Sequence, residues 1–198
     1  DVRAGALGAV SVESLTEIYS TVTGQRPVTA ALGDATDERA IEQVAHTFAS
    51  TGAAFLKVGF AGIDSVRRVR SLTDAAARGV SAGRNGAGLV AVAYADASRV
   101  ATLAPPILFE VAADCAVDGL LIDTADKNGP GLRELVDPST LARWVREAHK
   151  AGLFVALAGR LTLDDIGFVR DSGADIAGVR GAACAGGRTG RGPLPLRG

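Results

Sequence analysis

Lysine is scarce in this chain and stands where chemistry could use it. Of 21 Lys+Arg residues only Lys57, Lys127 and Lys150 are lysines. Arginine carries positive charge equally well, but of the two only lysine deprotonates and can act as a base or an amine nucleophile. Lys57 ends one apolar run, Ala54-Phe55-Leu56-Lys57-Val58-Gly59, and Lys127 follows the run Gly119-Leu120-Leu121-Ile122-Asp123 by four residues. A continuous apolar run that ends in polar groups reads as a buried parallel strand whose C-terminal end opens into a loop. A carboxylate buried at such an end is costly unless paired, and Lys127 is close enough in sequence to pair with Asp123. Two readings stand for each feature. Lys57 is a base or Schiff-base amine with a lowered pKa, or a lysine whose stem is buried and whose head reaches water. Asp123 and Lys127 form a proton-relay pair, or a plain ion pair at a loop.

Other strand ends add anion-binding candidates. Gly159-Arg160 and Arg180-Gly181 close the last two apolar runs. Backbone N–H groups there, with arginine's bidentate geometry, suit a phosphate; the alternative is that these glycines only make tight turns. Asp96 is a substrate-binding candidate, or it pairs with nearby Arg99; Asp34 is similar. His46 and His149 fall within helical patterns and read as surface or satisfied side chains. No Ser-His-Asp, metal-ligand or nucleotide-binding motif is present, so no metal or cofactor is expected.

The elements that position these ends alternate. Helical spacing covers Ser11 to Val22, with Val12, Leu15, Ile18, Tyr19 and Val22 on one face. Strands follow at Val28 to Leu32, around Lys57, at Leu89 to Tyr94, at Gly119 to Asp123, at Leu153 to Ala158 and at Asp175 to Val179. Between them lie helices from Asp37 to Ser50, Ile63 to Arg78, Pro106 to Ala116, Asp137 to Lys150 and Thr162 to Ser172. Asp37 and Gly52 supply start and stop signals, and Thr162-x-x-Asp165 is close to a capping box. Strict alternation implies a parallel sheet with right-handed crossovers. Polar or glycine residues end nearly every strand, namely Asp34, Lys57, Asp96, Asp123, Gly159 and Arg180. Such convergence points to a TIM (β/α)8 barrel; a doubly wound sheet would concentrate its signal in one glycine loop. Six strands leave two of the eight unaccounted for. The domain reads as residues 1–183, followed by a Gly/Arg/Pro-rich tail over 184–198.

Composition excludes several classes. With 198 residues and 47% hydrophobic content, the chain can bury one sizeable core. A formal net charge of −1 leaves no broad basic field for nucleic acid. No apolar run reaches the roughly 20 residues of a membrane helix. Cys115 and Cys184 lack metal spacing and read as reduced thiols of a cytoplasmic protein, with Cys115 a small core residue.

Taken together, several motifs resemble the (5-formylfuran-3-yl)methyl phosphate synthases of methanofuran and methylofuran biosynthesis. They are Gly5-Ala6-Leu7-Gly8-Ala9, Lys57-Val58-Gly59, Ala93-Tyr94-Ala95-Asp96, Asp123-Thr124-Ala125 with Lys127, Ala156-Leu157-Ala158-Gly159, and Val179-Arg180-Gly181-Ala182 with Cys184-x-Gly186-Gly187. The resemblance spans roughly residues 1 to 190. It implies a TIM barrel that condenses two molecules of glyceraldehyde 3-phosphate to 4-(hydroxymethyl)-2-furancarboxaldehyde phosphate, in the manner of a metal-free class I aldolase. It also implies that Lys57 is a proton-transfer lysine assisted by Asp123 and Lys127. In the family, the Gly-Ala-Leu-Gly loop follows a strand ending Asp-x-Lys, whose lysine forms the Schiff base; Asp1 falls just after that point. Either two strands and the Schiff-base lysine precede Asp1 in a longer enzyme, which is the expectation favoured here, or the chain is a degenerate copy that lacks them. The rival expectations are another phosphosugar aldolase or isomerase of the same fold, and a non-catalytic phosphometabolite-binding homologue. Self-association into a homo-oligomer is left open.

Overall fold

The computed structural model describes residues 7–22 and 25–179. Six parallel strands are laid down in chain order: β1 Thr29–Asp34, β2 Phe55–Gly59, β3 Gly88–Tyr94, β4 Gly119–Asp123, β5 Phe154–Leu157 and β6 Ile176–Ala177. Helix α1 Val12–Val22 precedes them, and α2 Glu38–Ser50, α3 Val66–Ala82, α4 Pro105–Asp114, α5 Leu132–Leu135, α6 Pro138–Lys150 and α7 Ile166–Ser172 connect them. Local chemistry sets the boundaries. Asp37 accepts from the backbone N–H of Ala40, Ser65 from that of Arg68 and Asp137 from that of Thr140, which caps α2, α3 and α6. Gly173, with φ +82°, closes α7 in the left-handed conformation that glycine adopts at little cost. Most boundaries agree with the sequence reading to within a few residues. Helix α5 is an addition, and so is a 3-10 turn at Ala97–Arg99. Both are too short to show hydrophobic periodicity. The tail over 184–198 lies outside the described residues.

Each strand pairs in parallel with the next, in the order β1-β2-β3-β4-β5-β6. A doubly wound sheet would reverse direction at a switch point; this one does not. The two faces of the sheet carry different cores. Leu56, Val58, Leu89, Ala91, Ala93, Leu120, Ile122, Val155 and Leu157 point outward and pack with the apolar stripes of the helices. Val90, Val92, Tyr94 and Leu121 point inward, with Phe55, Phe154, Ala156 and Ala158 packed on them.

The inner face shows how far the sheet curls. Phe55 on β2 and Phe154 on β5 are three strand spacings apart, about 14 Å on a flat sheet. Their ring centroids are 5.0 Å apart, edge to face. Only a sheet rolled toward a barrel brings them together. The two strands between contribute glycine at the same level, since Phe55 is in register with Gly88, and Gly119 with Phe154. A Cβ on Gly88 would lie 2.6 Å from the Phe55 ring, and one on Gly119 would lie 2.7 Å from the Phe154 ring. Large, small, small, large across four strands fills the narrow interior near the N-terminal ends of the strands. Space and polar groups are left at the C-terminal ends. The architecture is an α/β fold of the TIM-barrel type.

Gly119→Ala is expected to destabilise the protein by about 1–2 kcal/mol. Overpacking costs roughly 1–3 kcal/mol, and the gain of up to roughly 1 kcal/mol from a stiffer unfolded chain does not offset it. Gly167→Ala, on α7 with nothing within 4 Å of the new methyl, is expected to gain about 0.5–1 kcal/mol from helix propensity. Urea unfolding of both variants checks the pair of signs.

Candidate active site

A cavity of about 410 Å³ opens on the inner face, lined by residues from all six strands. Phe55 and Phe154 line it toward the N-terminal ends of the strands. Lys57, Asp123, Lys127, Gly159 and Arg160 line it where the strands and the loops after them open, and Leu7 and Gly8 complete the wall. Among the described lining residues, one carboxylate, Asp123, faces three cations, Lys57, Lys127 and Arg160. That is a net charge of +2, suited to a substrate carrying negative charge.

Lys57 does not end its strand as expected: it comes from the middle of β2, because Val58 and Gly59 continue the pairing, and it points inward by the alternation of the strand, in register with Ala31 and Val90. Its side chain is half-buried and makes no hydrogen bond or ion pair among the described residues. Burial lowers its pKa from the ordinary 10.5, and the negative charge of Asp123 opposes the shift without reversing it. An amine in this setting releases its proton more readily than a surface lysine.

Asp123 ends β4. Its Oδ1 accepts from the Thr124 backbone N–H at 2.7 Å and from the Lys127 ammonium at 3.1 Å. The Lys127 ammonium also donates to the Thr124 carbonyl. The two side chains are only 10% and 20% exposed, so this is a largely desolvated pair and not a surface one. Asp123 is thus committed to Lys127, and the second amine, Lys57, feels its charge without a bond to it.

The remaining candidates divide. Gly159 is buried in a left-handed turn with φ +99°, followed by Arg160 with φ +59°. A Cβ on Gly159 would come within 2.9 Å of Thr124 Cγ2, so glycine is needed for β5 to approach β4 at the rim. Arg160 lines the cavity, and its guanidinium donates to the Gly129 carbonyl. Arg180 and Gly181 lie outside the described residues. Asp96 does not pair with Arg99, contrary to that bland expectation. Its oxygens accept from the Ala125 and Asp126 N–H groups, while Arg99 pairs with Asp126 at 3.3 Å. Asp96 lies off the cavity wall. His149 is satisfied by Asp175 at 2.9 Å. The Cys115 thiol is half-buried and pushed up to about 11, mainly by burial, as suits an inert packing residue.

Sequence reasoning missed a second polar contact. β1 shifts register between Ala31 and Gly33, a bulge that puts Asp34 opposite Gly59. There Asp34 Oδ1 accepts from the Tyr94 hydroxyl at 2.8 Å and from the Ala61 N–H at 3.0 Å. A Cβ on Gly59 would sit 2.3 Å from that oxygen and 2.7 Å from the hydroxyl. Burial, reinforced by Asp34, drives the Tyr94 pKa far up, so the phenol stays protonated. The signal in the sequence was a hydroxyl inside an apolar strand, which needs a partner when buried. Thr124 was also missed; its buried Oγ1 finds no hydrogen-bond partner among the described residues.

Comparison with known proteins bears on this site. The profile of the 4-HFC-P synthase family matches residues 2–192. This chain belongs to that family. It is 38% identical to the (5-formylfuran-3-yl)methyl phosphate synthase of Methanopyrus kandleri, over 96% of this chain and 81% of that one. It is 34% identical to the enzyme of the same name from Methanocaldococcus jannaschii, over 93% and 79% respectively. Among solved structures, the deoxyribose phosphate aldolase of Aeropyrum pernix aligns with TM-score 0.65 at 17% identity, covering 85% of this chain and 69% of that one. Phosphonopyruvate hydrolase aligns with TM-score 0.58 at 15% identity, covering 85% and 59%. At those identities the likeness is one of fold.

This 4-HFC-P synthase family member is an enzyme, and the cavity at its strand ends is the candidate active site. Among its described residues no helix is long and apolar enough to cross a membrane.

Burying the Lys57 amine has a cost that pH should reveal. The folded pKa is lowered, so the unfolded chain binds more protons between the folded value and 10.5. The cost is therefore full below the folded pKa and relieved as pH rises toward 10.5. Lys57→Met is expected to raise stability at pH 7 by roughly 0.5–2 kcal/mol, with the gain shrinking as pH approaches 10.5. Chemical denaturation at pH 7 and pH 9.5 measures both the gain and its slope.

Proposed function

We propose that this enzyme condenses two molecules of glyceraldehyde 3-phosphate to 4-(hydroxymethyl)-2-furancarboxaldehyde phosphate, with one phosphate and water leaving, as a methanofuran-type synthase working by aldolase-like chemistry. One observation carries the reading: two amines share a single desolvated carboxylate inside a cavity of net positive charge. Lys127 holds Asp123 by a hydrogen bond, and Lys57, with no hydrogen bond among the described residues and a lowered pKa, is the amine placed to move a proton.

In this scheme one triose phosphate joins a lysine amine as a Schiff base, releasing water. Lys57 removes the proton beside the iminium carbon, giving an enamine. The enamine carbon attacks the aldehyde of the second triose, and the new alkoxide is protonated. Asp123 and Lys127 then pass protons as water and phosphate depart and the ring closes, and hydrolysis of the iminium by water frees the product and returns the lysine amine. Gly159 and Arg160 at the rim, with Arg180 and Gly181 beyond the described residues, hold phosphate. Lys57, Asp123 and Lys127 are the catalytic residues of this proposal, and it requires no metal or cofactor.

A second reading rests on the same lowered pKa: Lys57 could itself be the Schiff-base amine. Borohydride reduction with the triose phosphate, followed by peptide mapping, separates the two. An adduct on Lys57 would move it from base to nucleophile. Lys57→Ala is expected to slow formation of the furan chromophore by roughly 10²–10⁴-fold, the range for loss of a general acid–base. A rate within a few-fold of wild type would overturn the proposal.

A further inference from the structure

Asp96, just past the end of β3, is 4% exposed and does not line the cavity. Both of its oxygens are occupied. Oδ1 accepts from the Ala125 N–H and Oδ2 from the Asp126 N–H, each at 2.8 Å. Consecutive amides presented to one carboxylate form an anion-binding turn, and here the anion is supplied by the protein itself. Next to it, the Ala95 N–H donates to the Asp123 carbonyl at 2.8 Å, so the same two strand ends are tied twice.

The two hooked amides lie between Asp123 and Lys127. They set the course of the backbone from the carboxylate to the amine that must return to it. Lys127 returns through bonds to Asp123 Oδ1 and the Thr124 carbonyl. The loop is also held by Arg99 on Asp126 and by Arg160 on the Gly129 carbonyl. Those two side chains are exposed or half-exposed, whereas Asp96 is buried. A buried charge-assisted bond is the stronger restraint.

We propose that Asp96 is a positioning residue, which fixes residues 125 and 126 so that the Lys127 amine stays on Asp123, and acts on the reaction only through Lys127. The inference rests on the role given to Lys127 above. The carboxylate is specifically required, because two N–H donors need two acceptors. Asparagine offers one acceptor and turns an NH2 donor toward the other N–H.

The test is a double-mutant cycle of Asp96→Asn and Lys127→Ala, reading kcat, KM and melting temperature. Asp96→Asn alone is expected to lower kcat roughly 10–100-fold, the scale of a misplaced catalytic group, with KM within two-fold of wild type. On the Lys127→Ala background it should lower kcat no further. If the two losses multiply instead, or if KM rises while kcat holds, Asp96 acts on its own and the inference is wrong. A wild-type rate in Lys127→Ala would contradict the functional reading itself, and with it any part for Asp96 in the reaction. Hydrogen exchange on the unmodified enzyme needs no variant to fold: the Ala125 and Asp126 amides should be protected, and free exchange at both would overturn the proposal.

Discussion

Two amines and one carboxylate out of water set the terms for this structure. Asp123 can hydrogen-bond one ammonium closely and does so with Lys127. Lys57 receives only the field of that charge, and burial outweighs it. An isolated ammonium in an apolar setting is costly and sheds its proton more easily. The fold therefore maintains an amine in a less comfortable state than any surface lysine. In a chain that uses arginine for 18 of 21 basic residues, such a position calls for a reason in chemistry rather than in solubility.

The sheet keeps that state in place by giving its two faces different work. The outer face is apolar throughout and welded to the helices, so the strands have little freedom to shift. The inner face is layered. Phe55 and Phe154 meet across glycines near the bottom, Lys57 stands level with Val90 above them, and Tyr94 and Asp123 come at the strand ends. Low polarity beneath Lys57 is what desolvates it. At the rim, Gly59 and Gly159 do related jobs. One leaves room for the Asp34–Tyr94 hydrogen bond, and the other lets β5 close on Thr124. Side chains at either position would push apart the strands that carry Lys57 and Asp123.

Much of this was legible in the sequence. Apolar runs closed by Asp123 and Gly159 marked where β4 and β5 exit, because buried parallel strands are apolar throughout and polar only where they end, whereas Lys57 interrupts β2 at its middle and Arg180 lies outside the described residues. The Asp123–Lys127 pair was legible because four residues of loop can turn a lysine back on its neighbour. The unreadable parts depend on distant contacts. The bulge that swings Asp34 toward Tyr94 is settled by pairing with β2 at Gly59 and by the Ala61 N–H beyond it, 27 residues from Asp34. Nearness in sequence suggested Arg99 for Asp96, but the N–H groups 29 and 30 residues on are the better placed donors to its two oxygens. Helix α5 forms where Leu132 tucks under the Gly159 carbonyl, a contact no local pattern encodes.

The most direct measurement is the titration of Lys57 itself. With three lysines in the chain, protein labelled with ¹³C-lysine gives few enough side-chain signals for each to be assigned by single Lys→Arg replacement and followed against pH. The account predicts that Lys57 titrates below its ordinary 10.5 and moves lower still in Asp123→Asn, since Asp123 is what holds it up. A Lys57 that titrates at or above 10.5, or that ignores the loss of Asp123, would contradict the claim that burial against one shared carboxylate makes this amine the working base.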